Sequence, residues 1–133
     1  MKLKYNNIII TGYIEHTKCT NCSCELYNFI FSGDTDMATS GLVALAKPGS
    51  KEIAIIEATD DEWNGYRVDL MNERVNAALN SSSFSVIEYS HFINNEQQKE
   101  WLPKCPVCNY HHLKIEQLKI TDFKNLGGQF HMV

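Results

Sequence analysis

A chain of 133 residues with 44% hydrophobic and 21% charged residues has the composition of one folded domain, able to bury roughly 65–70% of the surface its unfolded form exposes. Its net charge of −4 is uneven: residues 1–33 and 105–133 each carry three Lys against two acids, whereas 34–104 carries twelve acids against six bases, which disfavours a nucleic-acid surface in the middle of the chain. No run approaches the roughly 18 apolar residues of a membrane span, the N-terminal apolar run is too short for a secretory signal, and the five cysteines fall at metal-ligand spacing. A reducing cytoplasm is therefore the expected compartment.

In chain order, Leu3 to Ile14 and Gly12 to Lys18 are β-prone, and the second leads into a cysteine pair. Glu25 to Phe31 resumes the pattern and stops at Ser32-Gly33-Asp34. Gly41 to Lys47 and Glu52 to Ala58 read as a hairpin turned by Lys47-Pro48-Gly49-Ser50. Thr59-Asp60-Asp61-Glu62 has the form of a capping box. Trp63, Tyr66, Leu70, Met71, Val75, Ala78 and Leu79 then give one apolar stripe, which predicts a helix over about 60–80 packed on a sheet. Phe84 to Ile93 is expected as a strand, and Asn94-Asn95-Glu96 as the cap of a short helix ending before Pro103. His111 to Ile120 is expected as a strand with an irregularity at Glu116-Gln117, and the tail with Gly127-Gly128 as loose. The predicted fold class is α+β, a largely antiparallel sheet with one main helix; nothing in the pattern favours parallel pairing.

Two Cys-x-x-Cys pairs, Cys19/Cys22 and Cys105/Cys108, can close a tetrahedron of thiolates around one structural Zn²⁺. Such a site is closed, with no coordination position left for chemistry. Cys24, or His16, His111 or His112, offers an alternative ligand by proximity in sequence. The segments Cys19-Thr-Asn-Cys22-Ser and Cys105-Pro-Val-Cys108-Asn resemble the two knuckles of a zinc ribbon. The resemblance covers the knuckles and their flanking strands and implies Cys19, Cys22, Cys105 and Cys108 as ligands. The 82 residues between Cys22 and Cys105 exceed the usual ribbon spacing. One domain, 1–133, is expected, with about 33–104 inserted between the knuckles.

Cys105-Pro-Val-Cys108 is also similar to the redox motif of thioredoxin-like oxidoreductases, but it sits late in the chain and precedes β-prone residues. The zinc-deaminase pattern fails because no His-x-Glu occurs and Lys104 precedes Cys105. Phosphate-binding glycine loops, His-Glu-x-x-His and Gly-x-Ser-x-Gly are absent from the sequence. Asp60/Asp61 are accounted for by helix initiation, His91 and His131 by packing or solvation, and His111/His112 would face opposite sides of a strand. The expected function is therefore non-enzymatic: a zinc-stabilised binding protein docking a basic protein partner through Asp34, Asp36, Asp60, Asp61 and Glu62, for example a bacterial toxin-immunity protein. The competing expectation is a nucleic-acid-binding ribbon using Lys2, Lys4, Lys18, Lys114, Lys119 and Lys124.

Overall fold

The computed structural model describes residues 3–5, 8–32, 41–65, 67–86 and 113–133. Strands β1 (Leu3–Tyr5) and β2 (Ile8–Ile10) form a short antiparallel hairpin. Strands β3 (Gly12–Cys19) and β4 (Glu25–Phe31) form a longer one, and β5 (Leu42–Ala46) and β6 (Glu52–Glu57) a third. Helices α1 (Asp60–Asn64) and α2 (Val68–Ala78) follow, and the C-terminal part supplies β7 (Leu113–Leu118), α3 (Ile120–Asn125) and β8 (Gln129–Met132). Strand β7 pairs antiparallel with β3, giving the order β4-β3-β7, and β8 pairs parallel with β6, giving β5-β6-β8. The fold is α+β and mostly antiparallel.

Strand β6 reads as an unbroken apolar run because both faces of its sheet are covered. Ile53 and Ile55 enter one core with Leu42, Ile14, Tyr27 and Phe29 and with Ile120 and Phe123 of α3. Ala54 and Ile56 enter the other, with Leu45, Phe84 and the α2 residues Met71 and Val75. Period-two alternation thus divides each strand between two cores, and the β5-β6-β8 sheet is the middle layer between α2 and the β4-β3-β7 sheet.

The expected single helix over 60–80 is two helices. The capping box forms: Thr59 Oγ1 accepts from the Glu62 N–H at 3.2 Å and the Glu62 carboxylate accepts from the Thr59 N–H at 2.8 Å. Helix α1 then ends at Gly65, and Arg67, at φ −84° and ψ 76°, departs from helical geometry before α2 begins. The Glu62 carboxylate takes bonds from Arg74 Nη2 at 2.8 Å and Nε at 3.2 Å, and Nη2 also donates to the Glu57 carbonyl at 3.0 Å. In a continuous helix these side chains would start about 18 Å apart along the axis, beyond their reach, so the ion pair requires the break. Trp63 is left 48% exposed outside the core.

Hydrogen bonding to the Arg74 guanidinium, outweighing the opposing effect of burial, holds the Glu62 carboxyl below its usual range. A carboxylate with a depressed native pKa stabilises the fold above its unfolded pKa, about 4.3, and that contribution is lost as pH falls through the native value. Glu62→Gln is therefore expected to cost about 1–2 kcal/mol near neutral pH. In thermal melts across pH, its deficit against the unsubstituted chain should shrink below about pH 4.3; a deficit that stays constant into acid would contradict this assignment.

The C-terminal tail, expected to be loose, is a strand. Gly127, at φ 93°, occupies the left-handed position after α3. The Gly128 N–H reaches the Phe123 carbonyl at 3.0 Å and the Gly127 N–H the Lys124 carbonyl at 3.0 Å, the two bonds of a Schellman cap. The chain is thereby aimed along β6, where Glu52 aligns with Gln129 and Ile55 with Met132. Parallel pairing here corrects the sequence expectation.

Strand β7 runs through Glu116-Gln117 with continuous register from Leu118 opposite Ile14 to Leu113 opposite Cys19, so the expected irregularity is absent. The strand expected over Leu3 to Ile14 reverses instead, with Leu3 paired to Ile10. Of the strand expected over Phe84 to Ile93, Ser85 bridges Ala46, and residues 87–93 lie outside the described residues, as does the helix expected after Asn94.

Candidate functional site

The first cysteine pair sits in the β3–β4 connection. Its geometry follows from closing the hairpin: the Cys19 N–H donates to the Cys24 carbonyl at 2.9 Å, the Ser23 N–H donates to the Cys19 carbonyl at 3.1 Å, and Ser23 adopts φ 61°. This tight return carries the Asn21 and Cys22 N–H groups to Cys19 Sγ, at 3.4 and 3.5 Å. Two backbone donors directed at one sulfur fix its orientation, an arrangement of the kind that supports the ligands of metal sites. Cys19 is buried, Cys22 exposed and Cys24 intermediate. Cys24 Sγ points to the Glu25 carbonyl at 3.8 Å.

Register brings the C-terminal part of the chain to the same end of the sheet. Leu113, the first residue of β7, lies opposite Cys19. Cys108 precedes Leu113 by five residues, a stretch that spans at most about 18 Å. Cys105 and Cys108 themselves lie outside the described residues, as do Asp34, Asp36, His91, His111 and His112. Among the described residues, no group of three or more His, Cys, Asp or Glu side chains is gathered for a metal ion.

His16, considered above as a substitute ligand, is three residues from Cys19 and so belongs to the opposite face of β3. Its Nδ1 is 2.9 Å from Glu116 Oε1, its Nε2 is 3.5 Å from Glu25 Oε1, and its ring stacks on Tyr27 at 4.3 Å between centroids. Burial, and then the Glu25 and Glu116 carboxylates, push the Tyr27 phenol up. The three strands of this sheet are thus tied by a cross-strand polar set on the face away from Cys19.

Asp60 and Asp61 are exposed in the first turn of α1. Glu62, expected at the same docking surface, is 4% exposed and engaged by Arg74 and Thr59. Its part is to join α1 to α2 rather than to offer a carboxylate to solvent. Around Asp60 and Asp61, residues 57–74 hold six acids against two arginines. Near the knuckle the balance is opposite: Lys18 and Lys114, both exposed, face each other across β3 and β7.

Comparison with protein-family models, with curated proteins and with solved structures found no match. Among the described residues, no helix is long and apolar enough to cross a membrane.

Proposed function

We propose that this chain is a zinc-stabilised, non-enzymatic binding protein. Cys19, Cys22, Cys105 and Cys108 hold one structural Zn²⁺ that clamps the β3–β4 connection to the start of β7. The observation that carries this reading is the pair of backbone N–H groups on Cys19 Sγ, in a knuckle whose neighbour β7 begins five residues after Cys108. Cys24 is a spectator in this reading.

The partner is a protein with a basic face, met by Asp60 and Asp61 together with Asp34 and Asp36. Support comes from the acidic excess around α1, where charge complementarity would steer association and select the partner. Its particular form is a cytoplasmic toxin-immunity protein that covers the cationic active site of a nuclease. Small size and net acidity favour that form.

Affinity capture from a bacterial lysate, compared between the unsubstituted chain and Asp60→Lys/Asp61→Lys, tests the docking surface. A defined protein retained by the first and weakened at least tenfold, about 1.4 kcal/mol, with the second is expected, since reversing two charges replaces two attractions to a basic face with two repulsions. Equal retention by both would refute the surface.

A second reading, a nucleic-acid-binding ribbon, is favoured by the Lys18–Lys114 pair at the knuckle end of the sheet. Salt-dependent retention of DNA or RNA, lost with Lys18→Glu, would establish it over the first.

A further inference from the structure

Strand β7 has β3 on one side and, among the described residues, no strand on the other. Lys114, Ile115, Glu116 and Gln117 are all exposed, Ile115 at 45%. Open edges in natural sheets are ordinarily blunted by bulges, prolines or unfavourable charge, because a regular edge recruits another strand. Here the ladder from Leu113 to Leu118 is unbroken and contains no proline. The charges that remain have opposite signs on either side of an exposed isoleucine.

We propose that β7 is a self-pairing edge through which two copies of this chain join antiparallel about a two-fold axis at Ile115. In that register Ile115 meets Ile115 of the second copy, while Lys114 meets Glu116 and Glu116 meets Lys114. Antiparallel neighbours directly opposite one another share a sheet face, so both charge pairs are in contact. The two-fold makes the arrangement closed and self-complementary. Parallel in-register pairing would set Lys114 against Lys114 and Glu116 against Glu116, which selects against it.

The β4-β3-β7 sheet would become a continuous six-stranded sheet, β4-β3-β7-β7-β3-β4. Glu116 can serve both contacts, since its side chain is 64% exposed while Oε1 meets His16. An interface made largely of one strand edge is smaller than the roughly 1,200 Å² of stable complexes. The dimer is therefore weak and reversible with concentration. It does not depend on the zinc reading.

Lys114→Glu is the informative variant. Within one chain Lys114 faces Lys18, so the change replaces a like-charge pair with an opposite one and leaves the subunit intact. Between copies it sets the introduced carboxylate against that of Glu116 at both symmetry-related contacts. Sedimentation velocity of the full chain over a concentration series is expected to show a monomer–dimer equilibrium for the unsubstituted protein. The dissociation constant should rise at least about tenfold for Lys114→Glu and be largely restored in Lys114→Glu/Glu116→Lys.

Hydrogen exchange on the unsubstituted chain supplies a readout free of substitution: the outward amides of 114–117 should gain protection as concentration rises. A chain that stays monomeric throughout, a dimer indifferent to Lys114→Glu, or a dimer without added protection in β7 would each overturn the proposal.

Discussion

Cys19→Ser is expected to abolish zinc binding and to unfold the knuckle end of the β4-β3-β7 sheet. In zinc-finger peptides the apparent binding free energy of a structural Zn²⁺ is about 10–16 kcal/mol at neutral pH, as large as the entire stability of an ordinary domain, roughly 5–15 kcal/mol. Serine keeps the side chain's size but offers no thiolate, so the proposed zinc ligand and the two Asn21 and Cys22 N–H contacts to sulfur would both be lost. Cys24→Ser is the matched control and should retain zinc and fold. Metal content and circular dichroism of the two variants check this pair of outcomes; zinc retained by Cys19→Ser, or lost from Cys24→Ser, would reverse the ligand assignment.

The second large effect is in the core. Phe123 is fully buried, with its ring 5.5 Å from that of Tyr27 and 5.3 Å from that of Phe130. It joins α3 to the β4-β3-β7 sheet on one side and to β8 on the other. Gly128 passes so close that a Cβ there would overlap the ring. Phe123→Ala is expected to cost about 3–5 kcal/mol, the transfer free energy of the ring plus the cavity it leaves. At this chain length that lowers the melting temperature by about 10–20 °C. A loss under about 1 kcal/mol would mean that the site collapses onto the cavity and that α3 is not the anchor of the tail.

The elements legible in the sequence are those specified by neighbours along the chain. The Thr59–Glu62 box, the turn around Pro48-Gly49 and the strands flanking Cys19/Cys22 all rest on chemistry contained in four to eight residues. What escapes is specified across distance. The break after Gly65 is required by Arg74 reaching back twelve positions to Glu62, a contact invisible to the apolar stripe that suggests one helix. Gly127-Gly128 fits a loose tail and a Schellman cap equally well; the parallel partner β6, more than seventy residues away, decides between them.

The site shows the same division. That Cys19 and Cys22 fall in one tight connection between two strands is readable, because the strand patterns on either side bound it. Sequence places Glu62 at a docking surface although its capping role already engages the carboxylate, and burial beside Arg74 completes that conflict.

Native mass spectrometry with metal analysis, on protein purified without added metal, tests the central claim most directly. The expected result is one zinc per chain, released by a strong chelator together with loss of the folded state. A folded, metal-free chain whose Cys19, Cys22, Cys105 and Cys108 thiols all titrate readily would contradict the zinc clamp.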